Sequence, residues 1–293
     1  MARRISRPLA LRITWVIAPW GISAHAATLA AWACAVVAAG GMACGTHAGW
    51  IAGGVLLEFW YLLDHVDGQL ARFHGTSSLD GVQLDYLMHH TTNLLVPLGL
   101  GYGLSIRLND PRWLLAGVVF GVGLLLITLG HDTRYKAFVV RLKRLHGQLL
   151  VEGGGGGRPE PPPLVPRRPL RFASWVAHKA CEMHVVMNVV MALAVGQWIA
   201  GDTSFLAGRL YVGVMAPLAA LVAIAEIVRS VRLGAAEQEF RRWYHPPAGQ
   251  ELTYVEGWWY VEERRQEAGG RMKDDEGRRD SEFKESRWIG KER

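Results

Sequence analysis

Cysteine is scarce in this chain of 293 residues. Cys34, Cys44 and Cys181 are the only three, and they have neither the spacing of a metal knot nor the numbers for a disulfide framework. They read as small buried hydrophobes. A phosphate-cradling loop is missing too. Gly153 to Gly157 is a run of glycines, but Pro159 and Pro161 to Pro163 follow where Gly-Lys-Ser/Thr and a helix would be needed. That stretch reads as a flexible, then stiff, linker. No long-period repeat is present, which excludes a solenoid. A cleavable leader is also disfavoured. Arg3 and Arg4, an apolar run from Ile13 and Ala24-His25-Ala26 imitate one, but Arg12 and Pro19 break the pattern.

Acidic residues are few where basic ones are many. Lys136, Arg141, Lys143, Arg144, Arg158, Arg167, Arg168, Arg171 and Lys179 face only Glu152 and Glu160 across the same stretch. Net charge is +6 and the isoelectric point about 9.4. In a soluble protein that balance would point to nucleic acid. Here half of the residues are hydrophobic and mean hydropathy is +0.12, so a bilayer is the simpler partner and no nucleic acid is expected.

The apolar residues fall into six blocks, about 24–43, 47–66, 82–105, 112–132, 183–201 and 208–230. Each approaches the ~20 residues of a span. The expected fold is therefore an all-α integral membrane protein with six transmembrane helices. Arg3, Arg4, Arg7 and Arg12 precede the first block, whereas the loops near 44–47, 106–112 and 202–209 carry little charge. Positive-inside bias then puts both termini, the 64–90 stretch and a flexible 137–180 loop in the cytoplasm. An interfacial amphipathic helix is expected within 1–20, with Trp15 and Trp20 at headgroup level. The membrane domain is expected over 21–234. A charged cytosolic tail follows over 235–293, disordered towards its end from Gln266.

Carboxylates beside such apolar sequence are costly and are usually retained for a function. Asp64 and Asp67 are three apart, and Asp85 and His89 four apart, so each pair shares a helix face. A hairpin between the two helices would bring the pairs together. Clustered oxygen ligands suit hard divalent ions such as Mg²⁺ or Mn²⁺. Gly68 and Gly81 allow a ligand close to the backbone, and Arg72 can pair with phosphate. Together these point to a bound pyrophosphate. Asp80 reads as a helix cap or a solvated acid. Gly99-x3-Gly103 and Gly117-x3-Gly121 permit close helix packing.

The order Asp64-x2-Asp67-Gly68-x2-Ala71-Arg72-x8-Gly81-x3-Asp85-x3-His89 resembles the signature of the CDP-alcohol phosphotransferase family, D-x2-D-G-x2-A-R-x8-G-x3-D-x3-D. Only the last position departs. The amphipathic approach to the first span is similar as well, with Ala24-His25 in place of the usual Pro-Asn. The resemblance implies a divalent-metal-dependent enzyme of phospholipid synthesis. It would move a substituted phosphate from a CDP-linked donor, CDP-diacylglycerol above others, to an alcohol acceptor and release CMP. It implies Asp64, Asp67 and Asp85 as ligands of a two-metal site, and Gly68, Ala71, Arg72 and Gly81 as nucleotide contacts. His89 stands where the family has the acid proposed as general base, and imidazole can take that role. His90 is turned about 100° away on a helix. Arg134 and Lys136 are candidates for an acceptor phosphate, and Asp132, Glu182 or His184 for a replacement metal ligand. A catalytically silent homologue binding nucleotide or lipid is the alternative, because of His89. A homodimer is left open.

Overall fold

The computed structural model describes residues 6–151, 165–166 and 168–263. The glycine run, the proline tract and the tail expected to be disordered lie outside the described residues. The chain divides into two compact units, Met1–Lys143 with Gly153–Trp243, and Arg144–Glu152 with Tyr244–Arg293.

The described part of the first unit is helical throughout its elements. They are α1 (Arg7–Ile17), α2 (Ala24–Ala43), α3 (His47–Phe73), α4 (Leu79–Leu108), α5 (Arg112–Leu142), α6 (Pro169–Ala180), α7 (Met183–Ile199), α8 (Leu206–Arg232) and α9 (Ala235–Trp243). Side-chain caps set several starts: the hydroxyls of Ser23, Thr46 and Ser78 accept from the amides of Ala26, Gly49 and Gly81. A left-handed Asn109 ends α4. The core joins Trp50, Leu57 and Trp60 of α3 to Leu100 of α4, Phe120 and Leu124 of α5, Val190 of α7 and Val212 of α8.

Small residues let the helices close up. α2 presents Ala31, Ala35, Ala38 and Ala39 to its neighbours, all buried. A Cβ at Gly99 would strike the Ala39 carbonyl, one at Gly103 the Met42 carbonyl, and one at Gly117 the Pro97 carbonyl. The small-residue motifs of α4 and α5 thus serve helix packing, as their spacing predicts.

Three helices, α2, α5 and α8, are long and apolar enough to cross a membrane, and α6 with α7, bent by 72°, makes a fourth if counted as one. α3 and α4 have 27 and 30 residues, but charged and polar side chains lower their hydropathy, and α7 has 17. Part of the expected 137–180 loop is helical. α5 runs on to Leu142 because Phe138 packs edge-on against Phe240 of α9, and Pro169 starts α6 at a position where its missing amide costs nothing. α1 buries Ala10 and Thr14 and leaves Leu11, Trp15 and Val16 exposed.

The second unit corrects the all-helical expectation. β1 (Leu145–His146), β5 (Trp258–Glu263) and β4 (Gln250–Val255) form a sheet in the order β1-β5-β4, and β2 (Leu150–Val151) pairs with β3 (Tyr244–His245). β4 and β5 are an antiparallel hairpin turning at Glu256-Gly257, both at positive φ, 48° and 90°. That is the turn whose twist suits a two-residue hairpin. Tyr254 packs on Trp259 and His146 stacks on Tyr260.

Candidate metal and nucleotide site

The α3–α4 turn is short. His74 caps α3, Gly75 takes a φ of 64°, and Ser78 opens α4. α2 packs extensively on both helices, while α3 and α4 touch each other far less. The space left between them is a cavity of about 650 Å³. Asp64, Asp67, Gly68, Ala71 and Arg72 reach it from α3, and Gly81, Asp85 and His89 from α4. All eight metal, nucleotide and catalytic positions that the motif selects therefore line one cavity.

Three of them converge most closely. His89 Nε2 lies 2.9 Å from Asp64 Oδ1 and 3.3 Å from Asp85 Oδ1. One donor atom from each of the three residues lies within 4.8 Å of the other two. Two carboxylate oxygens and an imidazole nitrogen at that separation fit a single divalent cation of the Mn²⁺ or Mg²⁺ class. Trp60, fully buried, meets the His89 ring edge-on at 5.6 Å and fixes its plane.

Asp67 stands apart from this trio. It is 8% exposed, and its oxygens accept hydrogen bonds from the Thr28 hydroxyl at 2.7 Å and from the Gly68 amide. The Thr28 hydroxyl also lies 3.1 Å from the Ala24 carbonyl, which shares its one proton with Asp67, so α2 holds the Asp67 carboxylate. Each Asp67 oxygen keeps a lone pair that could meet a second metal while the Thr28 bond holds the carboxylate.

Glycine is informative here by contrast. A Cβ at Gly68 would lie 3.4 Å from the Arg72 guanidinium, and one at Gly81 would lie 3.4 Å from Ser78 Oγ and 3.5 Å from His25 Nε2. The protein itself accommodates such contacts, unlike those at Gly99 or Gly103. What glycine preserves at these two places is open cavity wall.

Other expected residues are placed elsewhere. Asp80 is exposed in the first turn of α4, where the helix dipole favours an acid. His90 pairs with Asp132 at 3.2 Å and donates from Nδ1 to the Tyr86 carbonyl, turned away from the trio. Glu182 is held by Lys179 at 2.5 Å and meets His184 at 3.4 Å. None of Asp132, Glu182 and His184 joins the trio. Arg134 pairs with Glu239 at 3.3 Å and lines a separate cavity of about 520 Å³ with Glu226 and Arg229. Lys136 is exposed and lines neither cavity.

Several cavity residues were not selected by sequence reasoning: Arg7, His25, Thr28, His65, Gln69 and Ser78. His25 had a signal, since it stands where the resemblance expects Asn. Thr28 and Gln69 had none, because a lone hydroxyl or amide in an apolar block looks like ordinary helix surface. Gln69 accepts from Thr14 at 3.1 Å and ties α1 to α3.

No family model and no curated protein matches the chain. Among solved structures it is similar to two of the Mycobacterium tuberculosis phosphatidylinositol phosphate synthase PgsA1. With the one bound to CDP-DAG it shares 16% identity at a TM-score of 0.48, over 86% of this chain and 100% of that one. With the apo form it shares 16% at 0.47, over 74% and 94%.

Proposed function

We propose that the chain is a membrane-embedded CDP-alcohol phosphotransferase. It moves a substituted phosphate from a CDP-linked donor, CDP-diacylglycerol, to an alcohol and releases CMP. The observation that carries this reading is the convergence of Asp64, Asp67, Gly68, Ala71, Arg72, Gly81, Asp85 and His89 on one cavity, in the order and spacing of the family signature. We place six spans over α2, α3, α4, α5, α7 and α8, with α1 in the interface. The cytosolic side is the one holding Arg7, Arg72, Arg134 and Lys136, by positive-inside bias.

In this reading Gly68, Ala71 and Gly81 give the nucleotide close approach to the helix backbones, and Arg72 pairs with its phosphates. Asp64, Asp67 and Asp85 would hold Mg²⁺ or Mn²⁺, which supplies charge neutralisation on the pyrophosphate and polarises the phosphoryl group. The rest of the protein's work is positioning. Thr28 and Trp60 keep Asp67 and His89 in place. His89 takes the proton of the acceptor hydroxyl on Nε2, so in this reading the cation would rest on the carboxylates and not on that nitrogen.

One observation favours a second reading. His89 Nε2 lies within reach of both Asp64 and Asp85, so a charged imidazole satisfies the two acids without a cation. A silent homologue that binds nucleotide would look like this. Release of CMP from CDP-diacylglycerol, measured with Mg²⁺, Mn²⁺ or chelator across a panel of alcohols, separates the two. We expect metal-dependent release that is lost in chelator and in Asp64→Ala, Asp67→Ala and Asp85→Ala. Full turnover in Asp67→Ala or in excess chelator sinks the metal site. A parent inactive with every donor and metal, beside an active His89→Asp, establishes the silent reading.

A further inference from the structure

α6 has its two faces the wrong way round for a helix surrounded by water. At about 100° per residue, Leu170, Ala173, Val176 and Ala177 form one side, and Arg171, Ser174 and His178 the other. The polar side is the one tied to the protein, since His178 Nδ1 lies 3.2 Å from Glu226 Oε1 of α8. The apolar side turns outward. Leu170 is 86% exposed, Val176 43% and the neighbouring Phe172 45%, and no residue of α6 is buried. A helix on the surface of a soluble domain buries its apolar stripe and shows water its polar one. The inversion requires apolar surroundings on the outer side.

Orientation narrows those surroundings. α6 has 12 residues, about 18 Å of helix, too short to cross a bilayer. It is bent by 72° from α7, one of the six spans proposed above. Spans tilt by about 20° on average, so a helix so bent lies nearer to the plane of the membrane than to its normal. α7 begins at the level of the candidate site, where His184 stacks with Tyr61 and Tyr61 meets His65 in the cavity wall. Charge narrows them further. From 161 to 181 the sequence holds Arg167, Arg168, Arg171 and Lys179 and no acid. Lys179 is taken by Glu182. Arg168 and Arg171 are exposed and make no ion pair among the described residues. Both stand at the start of α6, where the helix dipole opposes a cation and an anionic surface would offset it.

Resting on the reading of α7 as a span, we infer that α6 is an interfacial helix for anionic lipid. Its outward stripe inserts among the acyl chains, and Arg168 and Arg171 bind lipid phosphates. The partner of this face is a negatively charged lipid surface and not a second protein.

The test uses the full chain in nanodiscs, with its three cysteines replaced by alanine and one nitroxide label per protein. Ala173→Cys and Val176→Cys report the outward face, Ser174→Cys the polar one and Ala192→Cys the exposed side of α7. Collision with oxygen, which partitions into lipid, is compared with collision with a water-soluble nickel chelate. The nanodiscs hold phosphatidylcholine alone or mixed with phosphatidylglycerol, and monodisperse elution reports that each variant folds. We expect oxygen to dominate at 173, 176 and 192, and the nickel chelate at 174. The label at 176 should sit deeper when phosphatidylglycerol is present, and Arg168→Gln with Arg171→Gln should abolish that dependence. Nickel access at 173 and 176 equal to that at 174, or shielding of both from either reagent by a protein partner, overturns this inference alone. A depth that ignores phosphatidylglycerol overturns the assignment to anionic lipid. Water access at 192 overturns the span, and this inference falls with it.

Discussion

Replacing His89 separates its two roles. Its Nε2 lies 2.9 Å from Asp64 and 3.3 Å from Asp85, so the imidazole is the only group of the trio that offsets two carboxylates. In His89→Ala that offset is gone. The two acids, with oxygens within 4.8 Å of one another, then repel. At an effective dielectric of about 20 the raw repulsion is roughly 3.5 kcal/mol. The variant should therefore unfold at lower temperature than the parent in chelator, and Mn²⁺ or Mg²⁺ should raise its melting temperature more than the parent's. Turnover should fall by about 10² to 10⁴, the usual worth of a general base, with CDP binding largely kept. His89→Asp should add a carboxylate to the site's oxygen ligands and shift its preference towards Mg²⁺. Thermal unfolding and CMP release against metal for the three proteins decide the matter. A His89→Ala protein as active as the parent refutes the base, and one whose stability ignores metal refutes the electrostatic argument.

Arg72→Ala should weaken CDP binding much more than acceptor KM, and Gly68→Val should block the donor; calorimetry with CDP that finds both unchanged removes the nucleotide assignment. Thr28→Val takes the hydroxyl from a buried carboxylate at 2.7 Å and should cost about 1.5–3 kcal/mol of stability in chelator; a melting temperature equal to the parent's would show that the bond is dispensable. Gly103→Ala puts a Cβ against the Met42 carbonyl and should prevent α2 and α4 from closing, seen as loss of monodisperse protein after detergent extraction. Glu237 has its carboxyl held below the usual range, first by the Arg141 guanidinium at 2.5 Å. A depressed folded pKa stabilises above the ordinary value of 4.5 and is lost as pH falls through the lowered one. Protection of the α9 amides, taken relative to their intrinsic exchange rate at each pH, should therefore fall at acid pH, modestly because the pair is partly solvated.

What was legible followed from periodicity. Five of the six apolar blocks lie within helices and the block 183–201 overruns α7 by two residues, because a run of about twenty apolar residues has few other solutions. The motif residues share a cavity because Asp64, Gly68 and Arg72, and Gly81, Asp85 and His89, recur at four-residue intervals that line up on one face. The small β unit was not legible. Its longest strands have six residues, and Glu256-Gly257 signals a turn only once its flanks are known to pair. The partner of β5 on its other edge, β1, comes from more than a hundred positions earlier, and such long-range pairing leaves no local trace. Asp67 shows the same limit inside the motif. Its spacing places it beside the trio, but the Thr28 hydroxyl that holds it belongs to another helix.

Asp64, Asp67 and Arg72 of α3 face the cavity shared with α4, groups suited to a metal and a phosphate. Asp64 is the hub of this wall, with one oxygen near His89 and the other near His65. His65 meets the Tyr61 ring, and Tyr61 meets His184 of α7, so the polar wall continues as an aromatic track towards α7. Residues three or four apart stay on one face of a helix, which is how Tyr61, His65, Gly68 and Arg72 make a single stripe. The acids that make α3 a poor membrane span by composition are, on the phosphotransfer reading, what makes it the helix on which the donor is held.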